Sequence, residues 1–111
     1  MLADFSLLRP EGNGLLVKFD AKTRQLSEYV PPTAGVSFYE ALPDKNGEVW
    51  AGEMYAGRFV RFNPKANRWT EYVLPEPISH NRRTWIDNST TPVTVWYVDH
   101  DGILVRIQPL E

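Results

Sequence analysis

Along most of this chain, apolar and polar side chains alternate at every second residue. Phe59, Arg61 and Asn63 fall on one side of such an alternation, Val60 and Phe62 on the other. Arg68, Thr70 and Tyr72 oppose Trp69, Glu71 and Val73 in the same way. A period of two is that of a β-strand, whose successive side chains point to opposite faces of a sheet. No stretch places apolar residues at the i, i+3, i+4, i+7 spacing of an amphipathic helix. The alternating runs are rich in Trp, Tyr, Phe, Val and Thr, residues that suit a pleated, half-buried surface. Turn residues divide them. Asp20-Ala21-Lys22-Thr23, Asp44-Lys45-Asn46-Gly47 and Asn88 to Pro92 read as turns, and Asn46-Gly47 is a strong hairpin signal. Ten strands are predicted, in groups of three, four and three. The middle group has its inner strand at Val36 to Leu42 and further strands at Glu48 to Met54, Arg58 to Asn63 and Arg68 to Val73.

The groups repeat one another. Gly57 to Pro75, GRFVRFNPKANRWTEYVLP, recurs upstream as Gly14 to Pro32, GLLVKFDAKTRQLSEYVPP, at a constant offset of 43 residues. Its first half recurs downstream as Gly102 to Pro109, GILVRIQP, 45 residues on. The run Val49-Trp50-Ala51-Gly52-Glu53 recurs as Val95-Trp96-Tyr97-Val98-Asp99, and Met1-Leu2-Ala3-Asp4 reads as a weaker third copy. A period in the mid-forties with a Trp-acidic signature is that of a four-stranded propeller blade. The fold class expected is therefore all-β: about two and a half antiparallel blades in a single partial propeller domain. Residues 1–32 form a partial blade, 33–75 a complete one and 76–111 another partial one. Closed propellers have about 4–8 blades, so the chain is expected to be a piece of a longer protein or to complete a ring by self-association.

Composition narrows the function classes. With 111 residues the chain can bury a real core. A net charge of −2 does not provide the basic stripe of a nucleic-acid-binding surface. No apolar run approaches the ~20 residues of a membrane-spanning helix, and no signal peptide is visible. The absence of Cys removes disulfides, thiolate nucleophiles and Cys-zinc sites. No G-x-S-x-G, P-loop or H-E-x-x-H pattern is present.

The rhythm Gly-x-Val-Trp-x-x-acidic, then Gly-x-x-Val-[Lys/Arg]-Phe-[Asp/Asn], then Glu-Tyr-Val-x-Pro resembles the streptogramin B lyase (virginiamycin B lyase) family. The resemblance covers essentially the whole chain, as the last two to three blades of such a ring. It implies a seven-bladed propeller. The final run, VWYVDHDGILVRIQPLE, is similar to the C-terminal ends of larger exported bacterial proteins, which implies an exported or periplasmic location. The lyases open a cyclic depsipeptide ester by elimination, with magnesium and a histidine as general base. The acidic residue three after the Trp belongs to the functional face in some blades, and corresponds here to Glu53, Asp99 and, through the weaker copy, Asp4. The family's histidine position falls near Tyr39 and near Arg83 to Trp85, where no His stands.

Each candidate has a plainer reading beside the functional one. Glu53, Asp99 and Asp4 converge on a cation or polar ligand, or they cap turns; the residues favour caps. His80 and His100 suit a general base near neutral pH, or are surface loop residues. Arg82 and Arg83 suit bidentate grip of an anion, or pair with Glu76 or Asp87. Lys18, Arg61 and Arg106 recur in register and read as a solvated face. Trp50 and Trp96 are expected between neighbouring blades. Trp69 is expected either in the core or at a contact with another molecule.

The expected function is a non-catalytic ligand- or protein-binding segment from the C-terminus of a larger exported protein. The alternative is a magnesium-dependent carbon–oxygen lyase whose key residues lie in further blades. A third is a self-associating module. The expected partners are the remaining blades of the parent protein, or a second copy meeting this one through open strand edges.

Overall fold

The computed structural model describes residues 3–8, 15–33, 37–54, 57–75, 81–99 and 102–110; for 3–8, 37, 39, 54, 81, 82 and 99 it describes the backbone path alone. Among the described residues ten strands appear, in the expected groups of three, four and three. They are β1 (Ala3–Leu8), β2 (Leu15–Asp20), β3 (Gln25–Tyr29), β4 (Ser37–Pro43), β5 (Val49–Met54), β6 (Arg58–Asn63), β7 (Arg68–Val73), β8 (Asn81–Asp87), β9 (Thr94–Asp99) and β10 (Leu104–Ile107). Among the described residues there is no helix. The sheets run β1-β2-β3, β4-β5-β6-β7 and β8-β9-β10, and every neighbouring pair is antiparallel. β8 starts at Asn81, two residues before Arg83. A register shift between Asn81 and Arg83 lets the strand bend and still pair Asn81 with Asp99. β4 carries a matching shift between Phe38 and Ala41. Pro43 closes β4, where an edge strand tolerates its missing N–H.

Strand register puts the repeat on a structural footing. Trp50 stands opposite Arg61, Trp96 opposite Arg106, and Phe5 opposite Lys18. Val49 pairs with Phe62, Val95 with Ile107, and Asp4 with Phe19. Asp99 therefore occupies the Glu53 position, as expected. The expected equivalence of Asp4 with Glu53 does not hold. Leu8, opposite Leu15, takes the position that Glu53 takes opposite Arg58. Asp4 stands opposite Phe19, four positions before Leu8, so the match of motifs along the chain does not coincide with the strand register.

Consecutive sheets stack face on face, with the complete sheet in the middle. We call the side of a sheet that looks toward the next one its leading face, and the opposite side its trailing face. On the leading face of the middle sheet Trp50 and Phe59 are fully buried against Val93, Val95 and Tyr97 of the third. Phe59 and Tyr97 stack with centroids 5.5 Å apart. On its trailing face Val49 and Phe62 pack on Leu16 of the first sheet, and Tyr29 meets Phe62 at 4.7 Å. Trp69 lies here too, 4.3 Å from Phe62 and stacked on Phe38, so it belongs to the core rather than to an outer contact. Each large side chain removed from water contributes about 1.5–3 kcal/mol. The two seams hold most of the buried aromatic rings.

The motif glycine has a backbone reason. Gly57 and Gly102 have φ of 65° and 86°, the left-handed region that residues with a Cβ adopt only at a cost. At the β2–β3 and β6–β7 turns that region is entered by Arg24 (59°) and Asn67 (48°), one repeat apart. Asp20 and Asn63 hold these turns, accepting from the backbone N–H groups of Lys22 at 2.9 Å and Ala66 at 3.1 Å. Asn tolerates the left-handed region better than Arg does. Arg24→Asn is therefore expected to raise stability by about 0.5 kcal/mol, read as a higher urea midpoint at unchanged slope. A lower midpoint would count against strain at that turn.

Candidate functional site

Glu53 is the penultimate residue of β5 and Arg58 begins β6, directly opposite it. The hairpin brings the Arg58 Nε to 2.8 Å from Glu53 Oε2 and 3.5 Å from Glu71 Oε2. Thr33, after the last strand of the first sheet, donates its hydroxyl to Glu71 at 2.9 Å. The cluster thus spans the seam between the first and middle sheets. Glu53 is wholly buried, and its Oε1 has no hydrogen-bond partner among the described residues. Burial pushes its carboxyl up to about 7, and Glu71, sharing the same guanidinium, pushes in the same direction against the opposing pull of Arg58.

The other end of the middle sheet carries a second polar cluster. Asp44 closes the β4–β5 turn by accepting from the backbone of Asn46 at 2.8 Å and of Glu48 at 3.1 Å. Its second oxygen accepts from the indole N–H of Trp50 at 2.9 Å. Arg61 donates to Glu48 at 2.7 Å and lies over the Trp50 ring, 5.6 Å from its centroid. Arg106 sits over Trp96 in the same way at 5.9 Å. The Arg repeated in register is thus a lid on the Trp repeated in register. For Arg61 this corrects the expectation of a solvated face: Glu48 and Tyr72 raise its affinity for the proton. In the sequence Asp44 reads as a turn residue, and its six-residue spacing before Trp50 is the one signal of its bond to the indole.

The remaining candidates are dispersed. Asp99 is placed at the end of β9, Asp4 in β1 and Arg82 in β8, each by its backbone. His80 and His100 lie outside the described residues, as does Glu76. Arg83 is exposed and makes no ion pair among the described residues. Asp87, offered as its partner, instead accepts from the hydroxyl of Ser89 at 2.6 Å and from its backbone. Among the described residues no three His, Cys, Asp or Glu side chains gather as a metal site. Magnesium, which the family resemblance implies, needs several oxygens in near-octahedral array. Glu53 offers one buried carboxylate already engaged by a guanidinium, and these residues do not fit the ion.

What the third sheet does present is an apolar leading face. Trp85 stands opposite Trp96, and Arg83 opposite Val98. Trp85 is 70% exposed, Leu104 63% and Val98 48%. A groove of about 760 Å³ runs over this face, lined by Trp85, Trp96, Val98 and Leu104, with Leu42 of the middle sheet. Glu40 and Arg83 also line it. Glu40 accepts from the backbone N–H of Thr84 at 2.9 Å, tying β4 to β8. Arg83 stands out in the sequence, whereas the face around it does not. Trp85 has no Trp partner in the repeat: it takes the place of Leu42, and only the pairing register reveals this.

Stacked antiparallel meanders in a repeating register define a β-propeller. The solved structures that the chain is similar to are propellers of the streptogramin-lyase type. Virginiamycin B lyase from Staphylococcus aureus matches with a TM-score of 0.62 at 17% identity, over 99% of this chain and 42% of that one. A streptogramin B lyase matches with a TM-score of 0.58 at 16% identity, over 94% of this chain and 40% of that one. A catalytically inactive variant of the S. aureus enzyme, in a structure with quinupristin, matches at 0.59 and 18% identity, over 89% of this chain and 35% of that one. The chain spans about two fifths of the length of these proteins, and what it shares with them is the fold. No protein-family model and no curated protein matches its sequence.

Proposed function

We propose that the chain is a non-catalytic binding segment of a larger, exported propeller protein, and that its binding surface is the leading face of the third sheet. One observation carries this reading: two Trp rings, Val98 and Leu104 line one open groove with Arg83 beside them. Exposed apolar surface concentrated in one patch marks an interaction site, and Trp is the commonest anchor of such sites. The buried Glu53–Arg58 pair supports the non-catalytic half of the reading, because its carboxylate serves the seam between sheets.

An apolar dye carrying a sulfonate, anilinonaphthalene sulfonate, matches the groove and its cation. At low micromolar protein, Trp85→Ala is expected to weaken dye binding about tenfold while shifting folding stability by no more than about 0.5 kcal/mol. Dye binding unchanged by both Trp85→Ala and Leu104→Ala would overturn the assignment of the surface.

The second reading is a metal-dependent carbon–oxygen lyase completed by residues beyond this chain. The fold shared with two lyases favours it. It requires a cation to engage the Asp99 position, with further oxygen ligands from outside this chain. A magnesium-dependent rise in melting temperature, abolished by Asp99→Asn, would move this reading ahead of the first.

A further inference from the structure

The seam between the first and middle sheets is apolar at one end and charged at the other. At the apolar end Val49 and Phe62 pack on Leu16. Glu53 and Arg58 stand four residues further along the same two strands, on the same face, about 13 Å away. There the hydroxyl of Thr33 reaches both oxygens of the Glu71 carboxylate, at 2.9 and 3.0 Å. A blade does not need charge at this place. In the first sheet Leu8 stands opposite Leu15 where the middle sheet has Glu53 opposite Arg58. Apolar residues in place of a buried ion pair are often neutral or stabilising, and the best-attested use of such a pair is to fix a register or to operate a switch.

The pair is unbalanced as an ion pair. Glu53 is wholly buried; its Oε2 accepts from Arg58 Nε at 2.8 Å, while Oε1 has no partner among the described residues. An ionised carboxylate there leaves a charged oxygen dry and unbonded, whereas the neutral acid buries a far cheaper group. Arg58 is also shared, standing 3.5 Å from Glu71 Oε2. The charged groups acting on Glu53 are thus Arg58 from β6 and Glu71 from β7. β4 sets apolar Phe38 opposite it, and Glu40 of the same strand is turned to Thr84 of β8. Lys18 and Asp20 of β2 and Glu28 of β3 form no ion pair with it among the described residues.

We infer that Glu53, Arg58, Glu71 and Thr33 form a proton-operated latch: while Glu53 is neutral the seam is shut at this end, and loss of its proton lets water in between the first and middle sheets, with Leu16, Val49 and Phe62 as the hinge. Strand pairing inside each sheet is untouched, and the seam between the middle and third sheets stays shut. Burial holds the Glu53 carboxyl at about 7, above its ordinary 4.5. The advantage of the shut seam is therefore complete below about pH 4.5 and is lost as pH rises through about 7. Both sheets of the latch lie within this chain, and further blades on either side are compatible with it.

The chain has no Cys, so single thiols can report the opening of each seam in the 111-residue chain. Val60→Cys puts one beside Arg58 on the latch face, and Val95→Cys puts a matched one in the other seam; the two valines are 1% and 0% exposed. Labelling by a dithiopyridine, which reacts with thiols at acid as well as neutral pH, is read relative to the urea-unfolded variant at the same pH. For Val60→Cys this ratio is expected to be at least about tenfold higher at pH 8 than at pH 5 and to level off above about 7. For Val95→Cys it should change by less than about twofold, because local opening exposes only the unit that opens. With Glu53→Gln added, Val60→Cys should keep its pH 5 ratio throughout, since the amide does not titrate. Circular dichroism checks folding, and Ala51→Cys, directly opposite Val60, serves as reporter if Val60→Cys does not fold. Equal rises in both seams mean unfolding of the whole chain and overturn the latch. No rise in either means that the seam stays shut over an ionised Glu53, which overturns it too. A rise at Val60→Cys that survives Glu53→Gln assigns the opening to another group and overturns it as well.

Discussion

Trp50→Ala is expected to cost about 3–5 kcal/mol of stability, enough to leave a chain of this size largely unfolded at room temperature or close to it. The indole is wholly buried and stacks on Tyr72 with centroids 5.7 Å apart. Its removal opens a cavity in the seam where the middle and third sheets meet. It also takes the N–H from Asp44 Oδ2 and the ring from beneath Arg61. A buried acceptor left without its donor adds about 1 kcal/mol to the loss. Trp50→Phe keeps a ring and loses the N–H, so it should fall between wild type and alanine, at about 2 kcal/mol. Urea unfolding followed by circular dichroism measures both. Trp85→Ala serves as the control, because that ring is mostly in water and its loss should change little. A Trp50→Ala variant within about 1 kcal/mol of wild type would mean that the seam does not hold the sheets together.

Glu53→Gln is expected to stabilise the protein at pH 8 and to leave it nearly unchanged at pH 5. Glu53 has an ordinary value of 4.5 and is pushed up to about 7 in the folded chain. Between those values the folded state binds the proton and the unfolded state does not. Stability contributed by the protonated carboxyl is therefore fully present below about pH 4.5 and is lost as pH rises through about 7. The full shift corresponds to about 3 kcal/mol, an upper figure because Arg58 remains partly in contact with water. Glutamine mimics the protonated acid, keeps an oxygen for Arg58 and does not titrate. The stability difference between variant and wild type should therefore grow by about 2–3 kcal/mol from pH 5 to pH 8. Urea midpoints at four pH values check this. A difference that stays flat with pH would show that Glu53 is ionised throughout and that its pair with Arg58 outweighs burial.

The fold was legible because the repeat and the alternation agree. Gly57, Val60, Phe62 and Trp50 recur at fixed offsets, and each is a position where one backbone angle or one buried face admits few residue types. The number of strands followed from this. The equivalence of Asp4 did not, because register is set by pairing across a hairpin, and Leu8 against Leu15 is invisible to a comparison of motifs along the chain. The role of Arg61 was hidden for a similar reason. A charge repeated in register looks the same whether it faces water or covers an indole. The binding face was the least legible part, since Trp85 differs from Leu42 in type and only their pairing with Trp96 and Trp50 reveals that they share a place.

The tie from Thr33 to Glu71, and the confinement of each seam to consecutive sheets, have a consequence for how the chain opens. Each sheet is built from hairpins of neighbouring strands, and each is stabilised only by the sheets beside it. Such a stack behaves as a short one-dimensional array of coupled units, with stability the sum of unit and nearest-neighbour terms. The middle unit has two neighbours and the outer ones have one each. Fraying therefore starts at the ends and moves inward, and the amides of β5 and β6 open last. Covering both ends at once would remove the units that fray first, converting a graded opening into a single cooperative one.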